Sequence, residues 1–205
     1  MKKYLDTPTS VVEFLLENDV LRFGNFTLKS GKQSPFFLDI GRIANGKALD
    51  TLGHAFSQII EQAFPQTNTL IGPAYKGISL ATAVVTARFG NSASSWDVAF
   101  NRKEAKTHGE GGEWFGTPLT SESRAVIIDD VISDGGTKIE MLAHLREKFN
   151  LSPLGVAVVV DRTLGNATFD FPIVSLLKVS SLANILQDMN HPQAAAVQTF
   201  LSANK

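Results

Sequence analysis

The chain is expected to be an α/β protein, a parallel sheet flanked by helices with a small N-terminal hood. Three observations predict this. Short runs at residues 69–71, 125–128 and 156–160, the last fully apolar, read as buried strands. Segments with apolar residues at helical spacing lie between them, and that alternation calls for a sheet with helices on both faces. Finally, 205 residues suffice for one well-packed domain of this class, 1–205, with the hood drawn mainly from about residues 1–45 plus C-terminal parts.

The elements follow in order. Ser10 with Glu13 reads as a capping box opening a first helix, with Val11, Phe14 and Leu15 on its inner face. Residues 21–40 mix turn residues (Gly24, Ser30-Gly31, Ser34-Pro35) with short apolar runs, as strands or a small hood would. Asn45-Gly46 precedes a helix carrying Leu49, Leu52, Phe56, Ile59, Ile60 and Ala63 at helical spacing. The strand at 69–71 stops at Gly72-Pro73. Residues 77–88 predict a helix with Ile78, Ala81 and Val85 inward, and residues 96–100 a strand. Residues 101–116 have no hydrophobic period and four glycines, so a loop is expected. The strand at 125–128 leads to a helix at 136–149, packed through Ile139, Leu142 and Leu145, and then to the strand at 156–160. A last strand at 173–177 precedes helices beginning near Leu182 and Gln193.

Composition narrows the function. The chain is 43% hydrophobic and 19% charged, ordinary for a globular protein. A net charge of −1 gives no global attraction to nucleic acid or an anionic membrane. With no cysteine, disulfides, thiolate zinc sites and a cysteine nucleophile are excluded. The start MKKYLDTPTS lacks the apolar core of a signal peptide, and no apolar run of about 18 residues exists, so a cytoplasmic protein is expected.

Ligands of parallel α/β sheets bind beyond the carboxyl ends of the strands. There the segment VIIDDVISDGGT stands out. Asp129 and Asp130 are expected at the end of the strand, followed by Val131 and Ile132. Ser133, Asp134, Gly135, Gly136 and Thr137 then turn the chain into a helix. Successive N–H groups at a helix N-terminus form an anion site, and glycines let a phosphate approach. Adjacent carboxylates suit vicinal hydroxyls or a hydrated magnesium. The plainer alternative is an ordinary helix entry with acids as dipole residues. The segment is neither a Walker loop nor a GxGxxG turn.

Three more motifs bear on the chemistry. FTLKSGKQSPFFL places Lys29 beside the turn Ser30-Gly31. GPAYKG, from Gly72 to Gly77, has a backbone able to hold a diphosphate, with Lys76 adding charge. FNRKEAKTHGEGG groups Arg102, Lys103, Lys106 and His108 ahead of glycines, as a lid delivering cations to a leaving diphosphate would. A solvated hairpin lysine, a tight turn and a mobile polar loop are the respective bland alternatives.

VIIDDVISDGGT resembles the phosphoribosyl-diphosphate signature of type I phosphoribosyltransferases. With the other three motifs, in order from about Leu21 to Arg162, the chain resembles the orotate phosphoribosyltransferase family. The resemblance implies transfer of phosphoribosyl from phosphoribosyl diphosphate to orotate, with magnesium, in a homodimer with a shared active site. By it, Lys29, Tyr75 and Lys76 match diphosphate contacts. Arg102, Lys103, Lys106 and His108 match a catalytic loop that reaches the neighbouring subunit's site. Asp129, Asp130, Val131, Ile132, Ser133, Asp134, Gly135, Gly136 and Thr137 match the ribose and phosphate loop. Phe37 and Leu38, with Ser133, match the main-chain contacts of orotate; Leu38 stands where the family usually has a second phenylalanine. Arg162 matches the arginine that grips the orotate carboxylate, a bidentate task suited to guanidinium. Metal is expected through substrate oxygens near Asp129 and Asp130, not through protein ligands. Asp134 departs from the pattern, because a carboxylate there repels phosphate unless it points away. A purine enzyme and a nucleic-acid-binding regulator are the competing readings. The orotate-like motifs oppose the first, and the charge of −1 and lack of spare length oppose the second.

Overall fold

The computed structural model describes residues 5–28, 31–90, 95–106, 112–164 and 168–204, with only the backbone at 105 and 106. Helix α1, Pro8–Glu17, buries Val11, Phe14 and Leu15 as expected. Its capping box lies earlier than Ser10–Glu13, however. Thr7 is the N-cap, its hydroxyl accepts from the Ser10 N–H, and the Ser10 hydroxyl accepts from the Thr7 N–H. Pro8 preorganises the first turn, which is why the helix starts there and not at Ser10.

Strands β1 (Leu21–Thr27) and β2 (Gln33–Leu38) form an antiparallel sheet of their own. The other strands form a six-stranded sheet: β3 (Thr69–Gly72), β4 (Asp97–Lys106), β5 (Gly112–Gly116), β6 (Ala125–Ile132), β7 (Gly155–Asp161) and β8 (Ile173–Lys178). Their spatial order is β5-β4-β3-β6-β7-β8, and every neighbouring pair is parallel except β4 with β5. Helices α2 (Gly46–Ala63), α3 (Lys76–Phe89), α4 (Gly136–Phe149), α5 (Leu182–Asp188) and α6 (Ala194–Ser202) complete the chain. Among the described residues no helix is long and apolar enough to cross a membrane.

The strand pattern produces two cores. Leu70, Val126, Ile128, Ala157 and Val159 face the cluster that contains α1, α2, α3 and α5. Their sequence neighbours Ile71, Ile127, Val156 and Val158 face the second, with Leu145 of α4. Residues 156–160 are therefore fully buried on both faces, each valine contributing about 1.5–3 kcal/mol on burial. The small sheet packs on the C-terminal helices, where Phe36 meets Phe200 edge-on at 5.7 Å.

Beyond the capping box, two expectations need correction and the two helix faces need sharpening. Of the stretch expected as a loop, the described residues 101–106 and 112–116 are strand, since β4 runs on to Lys106 and pairs with β5. Main-chain pairing holds this hairpin, and its partly solvated faces leave no apolar period to read. β6 continues four residues past Ile128, so Asp129 and Asp130 lie within the strand. The helix α3 begins at Lys76 and buries Leu80, Ala81 and Val84 most deeply, with Ile78 and Val85 at its margin. On α4, Leu145 is buried but Ile139 is 50% exposed.

Candidate functional site

Chain direction diverges between β3 and β6. The connection from β3 leads through α3 to β4 on one side, and that from β6 through α4 to β7 on the other. A crevice opens at such a point, at the carboxyl ends of the strands. Pairing of β3 with β6 stops at Ile71–Ile127, while β6 continues beside β7 through Ile132. The side of Asp129 and Asp130 away from β7 is thus free of a partner strand.

Each acid has its own lysine. Lys76 Nζ lies 2.6 Å from Asp130 Oδ2, with the lysine half-exposed. Lys138 Nζ pairs with Asp129 Oδ2, and only 8% of the Lys138 side chain is exposed. The second oxygens bond the backbone: Asp129 Oδ1 accepts from the Asp130 N–H and Asp130 Oδ1 from the Val131 N–H, both at 2.8 Å. Burial pushes the Asp129 carboxyl above its ordinary range, against the opposing pull of Lys138. Arg162 follows β7, and its N–H donates to the Ile132 carbonyl at 2.8 Å. Burial lowers its pKa, and the nearby Asp130 charge partly offsets that.

The entry to α4 is a turn that only glycine permits. Gly135 has φ +76°, and a Cβ there would sit 2.3 Å from the Phe169 ring. Ser133 and Thr137 are exposed on either side, placing hydroxyls beside the helix N-terminus. Asp134 turns back on the chain, its Oδ1 accepting from the Gly136 N–H at 3.2 Å. The carboxylate is thus a local cap that occupies one donor of the anion site.

On the β3 side, GPAYKG is a tight turn with a cis Ala74–Tyr75 peptide. Gly77 abuts the middle of β6, where an added Cβ would lie 2.8 Å from the Ile128 carbonyl oxygen. Asn101 Oδ1 accepts from the Ala74 N–H at 2.8 Å and ties this turn to β4. Lys103 extends over the exposed Tyr75 ring, 4.6 Å from its centre. Arg102 stacks instead on Phe115, at 4.8 Å. A cleft of about 360 Å³ joins the hairpin to α4, lined among others by Arg102, Lys103, Trp114 and Thr137.

The structure brings together Tyr75, Lys76, Lys103, Asp129, Asp130 and Arg162. Lys29 and His108 lie outside the described residues, as does the Lys106 side chain. Phe37 is 38% exposed beside Phe26, whereas Leu38 turns into the core. Arg162 also lines a cavity of about 240 Å³ between β2 and α6, with Leu28, Lys32, Phe36 and Phe200. Two residues escaped the sequence reading. Lys138 had one available signal, a cation in the first turn of a helix, where the dipole disfavours it. Asn101 had another, a polar residue just beyond the apolar start of a strand.

Residues 40–193 match the phosphoribosyl transferase domain family. An orotate phosphoribosyltransferase of Bifidobacterium longum (strain NCC 2705) is 35% identical, over 88% of this chain and 86% of its own length. The orotate phosphoribosyltransferase of Bordetella pertussis is 36% identical over 98% of both chains. Among solved structures, that of orotate phosphoribosyltransferase from Francisella tularensis is similar with a TM-score of 0.74 at 31% identity, covering 86% of this chain and 89% of that one.

Proposed function

The chain belongs to the phosphoribosyl transferase domain family, among the orotate phosphoribosyltransferases, and on that premise we propose that it transfers phosphoribosyl from phosphoribosyl diphosphate to orotate, yielding orotidine 5′-phosphate and diphosphate in pyrimidine (UMP) biosynthesis. One observation carries this reading most directly. An acid pair within a strand end, a helix N-terminus flanked by hydroxyls, and a half-buried arginine just past the next strand meet at one switch point of the sheet.

The chemistry follows from these parts. The N1 atom of orotate forms a bond to the anomeric carbon as that carbon's bond to diphosphate oxygen breaks. Diphosphate leaves with the electron pair, and the N1 proton passes to solvent. Positive charge grows on the ribose and negative charge on the leaving group, so the protein's tasks are alignment and electrostatic stabilisation. Asp129 and Asp130 accept hydrogen bonds from the ribose hydroxyls. Ser133, Thr137 and the N–H groups at the start of α4 hold the 5′-phosphate. Tyr75, Lys76 and Lys29 receive the diphosphate, and Lys103, Lys106, His108 and Arg102 close over it. Arg162 takes the orotate carboxylate, with the main chain at Phe37 and Leu38 along the ring.

Both acids already hold lysine partners, which suits contact with a metal's water shell better than direct ligation. Magnesium bound by substrate oxygens supplies charge neutralisation for the departing diphosphate. A homodimer with a shared active site is part of this proposal: the hairpin of β4 and β5 lies at the edge of the sheet, open to a neighbouring site as well as to its own Tyr75. The proposed compartment is the cytoplasm.

The test is the fall in orotate absorbance when phosphoribosyl diphosphate and magnesium are added together. Turnover that requires all three components is expected. Activity on hypoxanthine with none on orotate would overturn the assignment of the base.

A further inference from the structure

The two lysines paired with the acids are not equivalent. Lys76 is half-exposed at the start of α3, and its ammonium can swing into solvent or onto a ligand. Lys138 is the third residue of α4, with 8% of its side chain exposed, and cannot leave Asp129 without repacking. Its position is poor for stability on two counts. A buried ion pair recovers little more than its desolvation cost. A cation in the first turn also opposes the positive end of the helix dipole. What the pair achieves is orientation. Lys138 holds Oδ2 of Asp129 while the Asp130 N–H holds Oδ1, so the carboxylate plane is set from both sides. Each oxygen keeps a lone pair for a further donor.

We propose that Lys138 is a positioning residue for the sugar donor: its buried ammonium fixes the Asp129 carboxylate in the orientation that receives the ribose hydroxyls, while Lys76 is the exchangeable partner. The proposal rests on the orotate phosphoribosyltransferase reading and adds to it a residue that never touches substrate. It also separates the acids. Asp129 is preset before the donor arrives, and Asp130 is released from Lys76 when the diphosphate draws that lysine away.

The test is a double-mutant cycle of Lys138→Met and Asp129→Asn, with Lys138→Arg as the conservative variant. Loss of one charge-assisted hydrogen bond predicts that Lys138→Met raises the KM for phosphoribosyl diphosphate about 10- to 100-fold. The KM for orotate should stay within about twofold, and Lys138→Arg should recover part of the loss. In the Asp129→Asn background, adding Lys138→Met should change the donor KM by less than about twofold, because Lys138 then has no carboxylate left to orient. That double variant carries no unpaired buried charge, so it remains informative if Lys138→Met alone folds poorly. Equal increases in both backgrounds, or an unchanged donor KM in folded Lys138→Met, would overturn the proposal. Calorimetric titration with phosphoribosyl diphosphate measures the same effect on binding without turnover. A wild-type protein that binds the donor but ignores orotate would therefore sink the orotate assignment alone.

Discussion

The end of β6 with the first turn of α4, and the hairpin of β4 with β5, both bring lysines to one crevice. Their surroundings differ sharply. In the first region Lys138 is buried against Asp129, and Gly135 is locked under Phe169. In the second, Lys103 and Glu104 are exposed, and Lys103 lies over the Tyr75 ring, a contact worth about 0.5–1 kcal/mol. Under the proposed function, the first would hold a geometry before substrate arrives, and the second would acquire one afterwards. Binding energy should therefore reside mainly in the first and rate acceleration mainly in the second.

The largest expected effect tests that division. Lys106→Ala should lower kcat about 10²–10³-fold, the range for removing one donor that serves developing negative charge. Both KM values should move only a few-fold. Near-normal turnover would end the catalytic assignment of the hairpin, and a large rise in the donor KM would move Lys106 into the binding class.

Arg162→Lys sharpens the comparison from the binding side. The charge remains but the planar fork is lost, so the orotate KM should rise about tenfold, roughly 1.4 kcal/mol. Donor binding measured by calorimetry should not change. Equal weakening of both substrates would mean that Arg162 acts through its neighbour Asp130 and not on the base.

How much of this could be read in the sequence also divides by region. The β6–α4 segment was legible because its signals are local: an apolar run, two acids, then glycines. Its misplaced boundary has a physical cause. Asp129 and Asp130 look like strand terminators, but here the next residues' N–H groups and two lysines donate to their carboxylates, and the strand runs on to Ile132. Those lysines come from α3 and α4, and no short window reveals such pairing. The hairpin was legible as chemistry, through its grouped cations, but not as structure, because cross-strand pairing without burial leaves no period-2 pattern. The anchoring of GPAYKG by Asn101, 27 residues away, likewise required the fold.

Gly135→Ala probes the rigid region alone. The residue would have to adopt φ +76° and displace the Phe169 ring, so a stability loss of about 1–2 kcal/mol is expected from the backbone conformation. Denaturant unfolding measures it, and the donor KM should rise alongside because the cradle moves. An unchanged midpoint would mean that the turn can reshape, and that the β6–α4 region is less preset than its packing implies.

The smallest expected effect concerns Asp134 and runs in two directions. In the free protein its carboxylate accepts from the Gly136 N–H, a donor that an incoming phosphate would use, and it adds a negative charge where that phosphate would sit. Asp134→Ala removes both obstacles, so the donor KM should fall about threefold, under 1 kcal/mol. The same change deletes a local cap, and the unfolding free energy should drop by about 0.5–1 kcal/mol. Tighter binding with lower stability is the signature of a side chain that competes with the phosphate for the Gly136 N–H. If the donor KM rises instead, Asp134 supports the bound state. It would then belong with Gly135 and Lys138 among the residues that preset the loop, and the Gly136 N–H would stay with Asp134 in the complex while other donors held the phosphate.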